Sequence, residues 1–119
     1  MNGTIRNLQK LGFPQADEQH VFLKDKISSK EPRREKIAET HYIALIIGDN
    51  LIDFTKEFEY KSIEERYEIA DKFRNEFGSR FIILPNPMHG SWKKALYDYE
   101  RNLTKEQMME KRIQRLKTW

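Results

Sequence analysis

A chain of 119 residues and 14.4 kDa has room for one core, and with 38% hydrophobic and 34% charged residues it is polar for a globular protein but not disordered in composition. Its 22 basic and 19 acidic residues are interleaved, so the net charge of +3 gathers on no obvious face and argues against nucleic-acid binding; the lack of cysteine excludes disulfides, thiolate metal sites and thiol catalysis. No apolar run approaches the ~20 residues that span a bilayer, and "MNGTIRNLQK" has no secretory apolar stretch, so the chain as written reads as cytoplasmic with no membrane span.

Ile5, Leu8 and Leu11 recur at helical spacing from Gly3 to Leu11, and "GFP" at 12–14 stops the pattern. "HVFLK" at 20–24 predicts a short strand, "DKISSK" a polar loop, and Pro32 the first turn of a helix that runs to about Thr40. "YIALII" predicts a strand buried on both faces that ends at Gly48. The segment from Ser62 to Phe77 predicts an amphipathic helix, with Ile63, Tyr67, Ala70, Phe73 or Arg74, and Phe77 on one side and Gly78 just past its end. "RFIILPNP" predicts a third buried strand stopped by two prolines. Residues 91–101 and 104–117 predict two further helices, the second opened by a capping box of Thr104 and Gln107. Helices alternating with short buried strands argue for an α/β unit around a parallel sheet, where ligands gather outside the carboxyl ends of the strands.

Those ends carry a lysine cluster (Lys24, Lys26, Lys30), the acids Asp49 and Asp53 with Asn50 between them, and Asn86 with His89. The mixture suits a metal ion and a phosphate, because carboxylate oxygens hold Mg²⁺ and lysine offsets anionic charge. Each residue also has a plainer reading. Asp49 caps the following turn, Asp53 is a solvated first-turn acid favoured by the helix dipole, and each lysine of "KDKISSK" is a solvated loop cation. His89 is a surface histidine outside any zinc spacing. Ser28 and Ser29 have no neighbouring histidine to activate them, and Trp92 and Tyr97 read as packing.

Taken in order, "GTIRNLQKLGFP", "SSKEPRR", "GDNLIDF" and "FGSRFIILPNPMHGSW" resemble the class C acid phosphatases, bacterial lipoprotein 5′-nucleotidases of the haloacid dehalogenase superfamily, over nearly the whole chain. The resemblance implies a Rossmann-like fold and a Mg²⁺-dependent phosphomonoesterase. In that family one aspartate attacks phosphorus, a second, two residues on, protonates the leaving group, and water hydrolyses the aspartyl phosphate. Carried over by position, the resemblance implies that Asp49 binds the metal and Asp53 supports its shell. It also implies that Lys30 steadies the nucleophile and the phosphoryl oxygens, and that Asn86 and His89 lie on the substrate side. His89 stands where relatives usually place a tyrosine that stacks on a nucleobase.

The family's D-x-D-x-T motif, which holds both nucleophile and acid, is not in the sequence: no two of the six aspartates stand two apart. Its second motif, a strand ending in Ser or Thr followed by Asn-Arg, is likewise missing. The resemblance therefore implies that residues 1–119 form a single C-terminal portion of a haloacid dehalogenase-like acid phosphatase domain. Its partial Rossmann-like parallel sheet is expected to have about three strands flanked by helices, without the first two strands. Such a fragment is expected to be inactive alone; its intact parent would act on a phosphomonoester or nucleotide and, like its relatives, be exported and lipid-anchored at the cell surface. Strand edges left without neighbours predict self-association or marginal stability. The competing reading is a non-catalytic α/β module that binds an anionic ligand or a protein partner through the same edge.

Overall fold

Of the continuous apolar run at residues 42–47, only the last two residues find a strand neighbour. The computed structural model describes residues 2–116 and runs, in chain order, α1 (Asn2–Lys10), α2 (Glu31–Ala38), β1 (Ile46–Gly48), α3 (Ile63–Lys72), β2 (Phe81–Ile83), α4 (Ser91–Leu96) and α5 (Lys105–Gln114). β1 and β2 pair in parallel, in the register Ile46↔Phe81, Ile47↔Ile82, Gly48↔Ile83. A parallel pair needs a long crossover, which residues 49–80 supply through two 3₁₀ turns, Leu51–Asp53 and Lys56–Phe58, and then α3. None of the helices among the described residues is long and apolar enough to cross a membrane.

The sheet therefore has two strands among the described residues, not about three. The expected strand at 20–24 is irregular, and its backbone is held instead by Val21 N donating to Asp17 O at 3.0 Å. A strand exists only against a neighbour, because its N–H and C=O groups must be satisfied across a ladder. Here a cleft of about 840 Å³ lies between Phe22 and Leu23 on one wall and residues 42–47 on the other. For the same reason the apolar run becomes regular only at Ile46, whose N–H reaches Arg80 O at 2.8 Å; one turn earlier, Ile43 O takes the Arg80 guanidinium at 3.3 Å.

The helices follow their end signals. α1 closes in a Schellman motif, with Phe13 N bonded to Leu8 O and Gly12 N to Gln9 O, both at 3.0 Å, and Gly12 at φ +77. Pro32 sits in the first turn of α2 as expected. α3 opens on a capping box: the Ser62 hydroxyl accepts from Glu65 N at 3.2 Å, and the Glu65 carboxylate accepts from Ser62 N at 2.8 Å. It stops at Lys72, five residues short of the expected end at Phe77. The turn that follows, with Gly78 at φ +85, swings Phe73 and Phe77 onto Phe81 at centroid distances of 6.0 and 5.6 Å. Phe54 completes this aromatic group, 5.1 Å from Phe81 and 5.6 Å from Phe77. A regular helix through residue 77 would not fold back this tightly into β2.

α4 likewise ends at Leu96, not at residue 101, because Asp98 and Tyr99 take left-handed backbone angles, φ 52 and 60. The Tyr99 hydroxyl holds that turn by donating to Lys61 O at 3.0 Å. The capping box of Thr104 and Gln107 opens α5 as expected; residue 117, its expected end, lies outside the described residues. Charged groups fasten α5 to the turn after α4: Lys111 pairs with Asp98 and Glu100, and Arg115 with Asp98 and Glu64.

Phe54, Phe58 and Phe81 are buried, Phe58 completely, but the core is small for the chain. The radius of gyration is 17.2 Å, against ~13.5 Å for a compact domain of this length. The accessible surface is 9793 Å², against ~6,800 Å² for a folded monomer of this mass. Part of the difference is apolar and borders the cleft, where Leu45 is 49% and Ile47 61% exposed. The isolated chain is expected to self-associate, with a weight-average mass in sedimentation that rises with concentration. A 14.4 kDa monomer at every concentration, with one sharp thermal transition, would contradict this.

Candidate active site

Both strands end on residues that turn back across the carboxyl edge of the sheet. β1 stops at Gly48, and the next five residues reverse direction so that the Asp53 side chain returns under the strand end. The glycine makes the approach possible: a Cβ at position 48 would lie 2.7 Å from Asp53 Cβ and 2.8 Å from its Oδ2. Asp53 is 6% exposed, so it is not the solvated first-turn acid of the plainer reading. A buried carboxylate needs partners, and it has them: Oδ1 pairs with Lys30 Nζ at 2.7 Å, while Oδ2 accepts from Asp49 N at 3.3 Å and Asn50 N at 3.2 Å.

Lys30 stands just before α2, and that helix is tied to the same turn because Arg34 Nη1 donates to Asp53 O at 2.5 Å. Arg34 also pairs with Glu31, and Ser29 Oγ donates to Glu59 at 2.5 Å, so the approach to Lys30 is braced from both sides. Of the three lysines grouped from the sequence, Lys30 alone reaches the acids; Lys24 lies along the cleft and Lys26 is exposed.

Asp49 is exposed, and its Oδ2 accepts from Asn86 Nδ2 at 2.8 Å. That amide, foremost, holds the Asp49 carboxyl below its usual value, with the charge of Lys30 a smaller contribution in the same direction. The Asn86 Oδ1 accepts from Met88 N at 3.0 Å and His89 N at 2.9 Å, while Trp92 Nε1 donates to Asn86 O at 3.1 Å. His89 is exposed and joins through its backbone; its imidazole has no partner among the described residues. A second link spans the two loops where Ser91 Oγ donates to Asn50 Oδ1 at 2.8 Å.

Lys30, Asp53, Asp49, Asn86 and His89, singled out from the sequence, thus form one bonded chain across the carboxyl edge. Sequence reasoning read Gly48 only as the end of the strand and passed over Arg34 and Ser91. For Gly48 the signal was a glycine directly after a buried strand and before two acids; for Arg34 and Ser91 no local pattern distinguishes them. Trp92 and Tyr97, read as packing, differ in their surroundings: Tyr97 is buried and its hydroxyl takes Arg112 Nε at 2.6 Å, whereas Trp92 is 38% exposed beside Asn86.

The donor set fits part of a magnesium shell. Mg²⁺ takes six oxygens and commonly keeps several waters beside one or two carboxylates. Asp49 is ionised, exposed and oriented, which fits one such carboxylate. Asp53 has both oxygens engaged by Lys30 and backbone N–H groups, which fits a supporting role and not a direct ligand. Among the described residues no cluster of three His, Cys, Asp or Glu side chains could hold a metal by itself.

Residues 1–92 match the family model described as haloacid dehalogenase superfamily, subfamily IIIB (acid phosphatase). The fold is similar to the structure of the class C acid phosphatase from Bacillus anthracis, with a TM-score of 0.87, and to its tungstate-bound crystal structure, with a TM-score of 0.89. In both comparisons the identity is 41% over 99% of this chain and 50% of the other. The chain spans about half the length of the solved chains it matches.

Because Asn86 lowers the Asp49 value, the folded-state midpoint lies under the ~3.9 of an unfolded aspartate. The Asn86–Asp49 bond therefore adds stability that is present above about pH 4 and is lost as pH falls through the lower folded value. Carboxyl ¹³C titration is expected to give Asp49 a midpoint below that of an unfolded-chain aspartate, and Asn86→Ala to raise it. An unchanged midpoint in the variant would remove Asn86 as the cause.

Proposed function

The chain belongs to the subfamily IIIB acid phosphatases of the haloacid dehalogenase superfamily, and on that premise we propose that it supplies one side of a Mg²⁺-dependent phosphomonoesterase site. The observation that carries this reading is the unbroken network from Lys30 through Asp53 and Asp49 to Asn86 at the carboxyl ends of two parallel strands.

Asp49 is the cation's carboxylate, and Lys30 is the cation for the phosphoryl oxygens. When bound, Mg²⁺ supplies Lewis-acid charge that offsets the negative oxygens of the group in transfer. Lys30 adds a second positive charge from the other side. Asp53 orients that ammonium by a 2.7 Å ion pair. Phosphoryl transfer depends largely on positioning and electrostatics, so side chains fixed in this way are the contribution the reaction asks of this half of the site. Substrates are phosphomonoesters, nucleotides among them, with His89 at the mouth of the loop after β2.

The nucleophilic aspartate and the acid two residues after it must come from chain outside these 119 residues, since no pair of aspartates here has that spacing. The cleft between residues 20–24 and 42–47 is where that chain enters. With a volume of about 840 Å³, it is the gap in which the first two strands of the sheet, missing from this chain, would pair. Lys30 and Asp53 line the cleft, so a carboxylate at the end of such a strand would meet the Lys30 ammonium.

The purified 119-residue chain is expected to leave p-nitrophenyl phosphate unhydrolysed with Mg²⁺ across the acid range. Hydrolysis that requires Mg²⁺ and disappears in Asp49→Asn would overturn the assignment of the nucleophile to another segment.

A further inference from the structure

The side chain of Asn86 is occupied by the protein. Its Nδ2 donates to Asp49 Oδ2 at 2.8 Å, and its Oδ1 accepts two backbone N–H groups, Met88 at 3.0 Å and His89 at 2.9 Å. The two donors fix which end of the amide is oxygen, because a flipped amide would set N–H against N–H and oxygen against carboxylate. One residue therefore holds the acid after β1 with its donor and shapes the loop after β2 with its acceptor. The Trp92 indole closes the same loop on Asn86 O at 3.1 Å. Gly90 makes room for that ring, since a Cβ there would lie 2.4 Å from Trp92 Cδ1 and 2.7 Å from Asn50 Nδ2.

We propose that Asn86 is a positioning residue, not a substrate contact: it sets the Asp49 carboxylate for a divalent cation and couples the presence of that cation to the order of residues 86–92. Holding Oδ2 leaves Oδ1 for the cation in a fixed direction, so binding need not first immobilise the side chain. Groups that orient a ligating carboxylate typically change metal affinity about 10- to 100-fold when removed. Coupling is reciprocal: if the ordered loop favours the cation, the cation orders the loop, including His89 at its exposed tip. The inference rests on Asp49 being the cation's carboxylate.

The test is a Mg²⁺ titration of the ¹⁵N-labelled chain, following the Met88 and His89 amides and the Trp92 indole N–H together with their hydrogen exchange. In the unaltered chain Mg²⁺ is expected to bind and to slow exchange at those three groups, and Asp49→Asn is expected to abolish both effects. Asn86→Ala is expected to weaken Mg²⁺ about 10- to 100-fold and to uncouple the loop, so that its exchange no longer responds to the cation that still binds. Should the alanine variant not fold, Asn86→Ser carries the test, because a serine hydroxyl can accept the same turn N–H groups but is too short to reach Asp49 as well. Asp49-dependent binding that is equally tight, with the same loop response, in the Asn86 variants would overturn this inference and leave the functional reading standing. Binding indifferent to Asp49→Asn, or none, would overturn the reading and this inference with it.

Discussion

Asp53 sits where the end of β1, the 3₁₀ turn after it and the start of α2 meet, and its buried carboxylate is the constraint on which the site depends. With 6% of its surface exposed, it would be costly without partners. The Lys30 ammonium and the Asp49 and Asn50 amides meet that need, and in doing so place Lys30 and Asp49 on either side of it. A neutral residue of similar size would satisfy packing but not hold the lysine. Gly48 is part of the same constraint, because any side chain there would occupy the space of the carboxylate. The site is thus braced from below by one buried acid and from the side by Asn86.

The body that carries it is held by few large contacts. Phe54, Phe73, Phe77 and Phe81 form the apolar centre against which the strand pair rests, and Arg66 caps Phe58 by donating to its carbonyl at 3.0 Å. Around this centre much apolar surface stays in contact with water, above all along the cleft. The excess over a compact monomer, ~3,000 Å² on this one chain, is larger than the ~1,000–2,500 Å² that each partner contributes to an obligate interface.

The parts of the fold that depend on one segment alone were legible in the sequence. Helix starts follow from Pro32 and Thr104, and the ends of β1 and β2 from Gly48 and the two prolines, because capping and chain stiffness are local. The parts that depend on two segments were not. "HVFLK" has the composition of a strand, but pairing is a relation, and the cleft separates it from residues 42–47 on the opposite wall. α3 carries helical periodicity through Phe77, yet the ring contacts to Phe81 end it at Lys72. At the site, the residue types and their order at the strand ends were readable, whereas the burial of Asp53 was not: acids four apart look the same whether the second faces water or folds back beneath a glycine.

On the proposed reading, this chain carries one side of a phosphatase site and another stretch of polypeptide carries the rest. Native and denaturing mass measurement of the cellular protein that contains the "GDNLIDF" peptide tests it most directly. A single polypeptide of about twice 14.4 kDa, or a tight complex of this chain with a second, different polypeptide, is expected, since this chain spans half of the similar solved chains. A 14.4 kDa polypeptide found alone or only with copies of itself would contradict it.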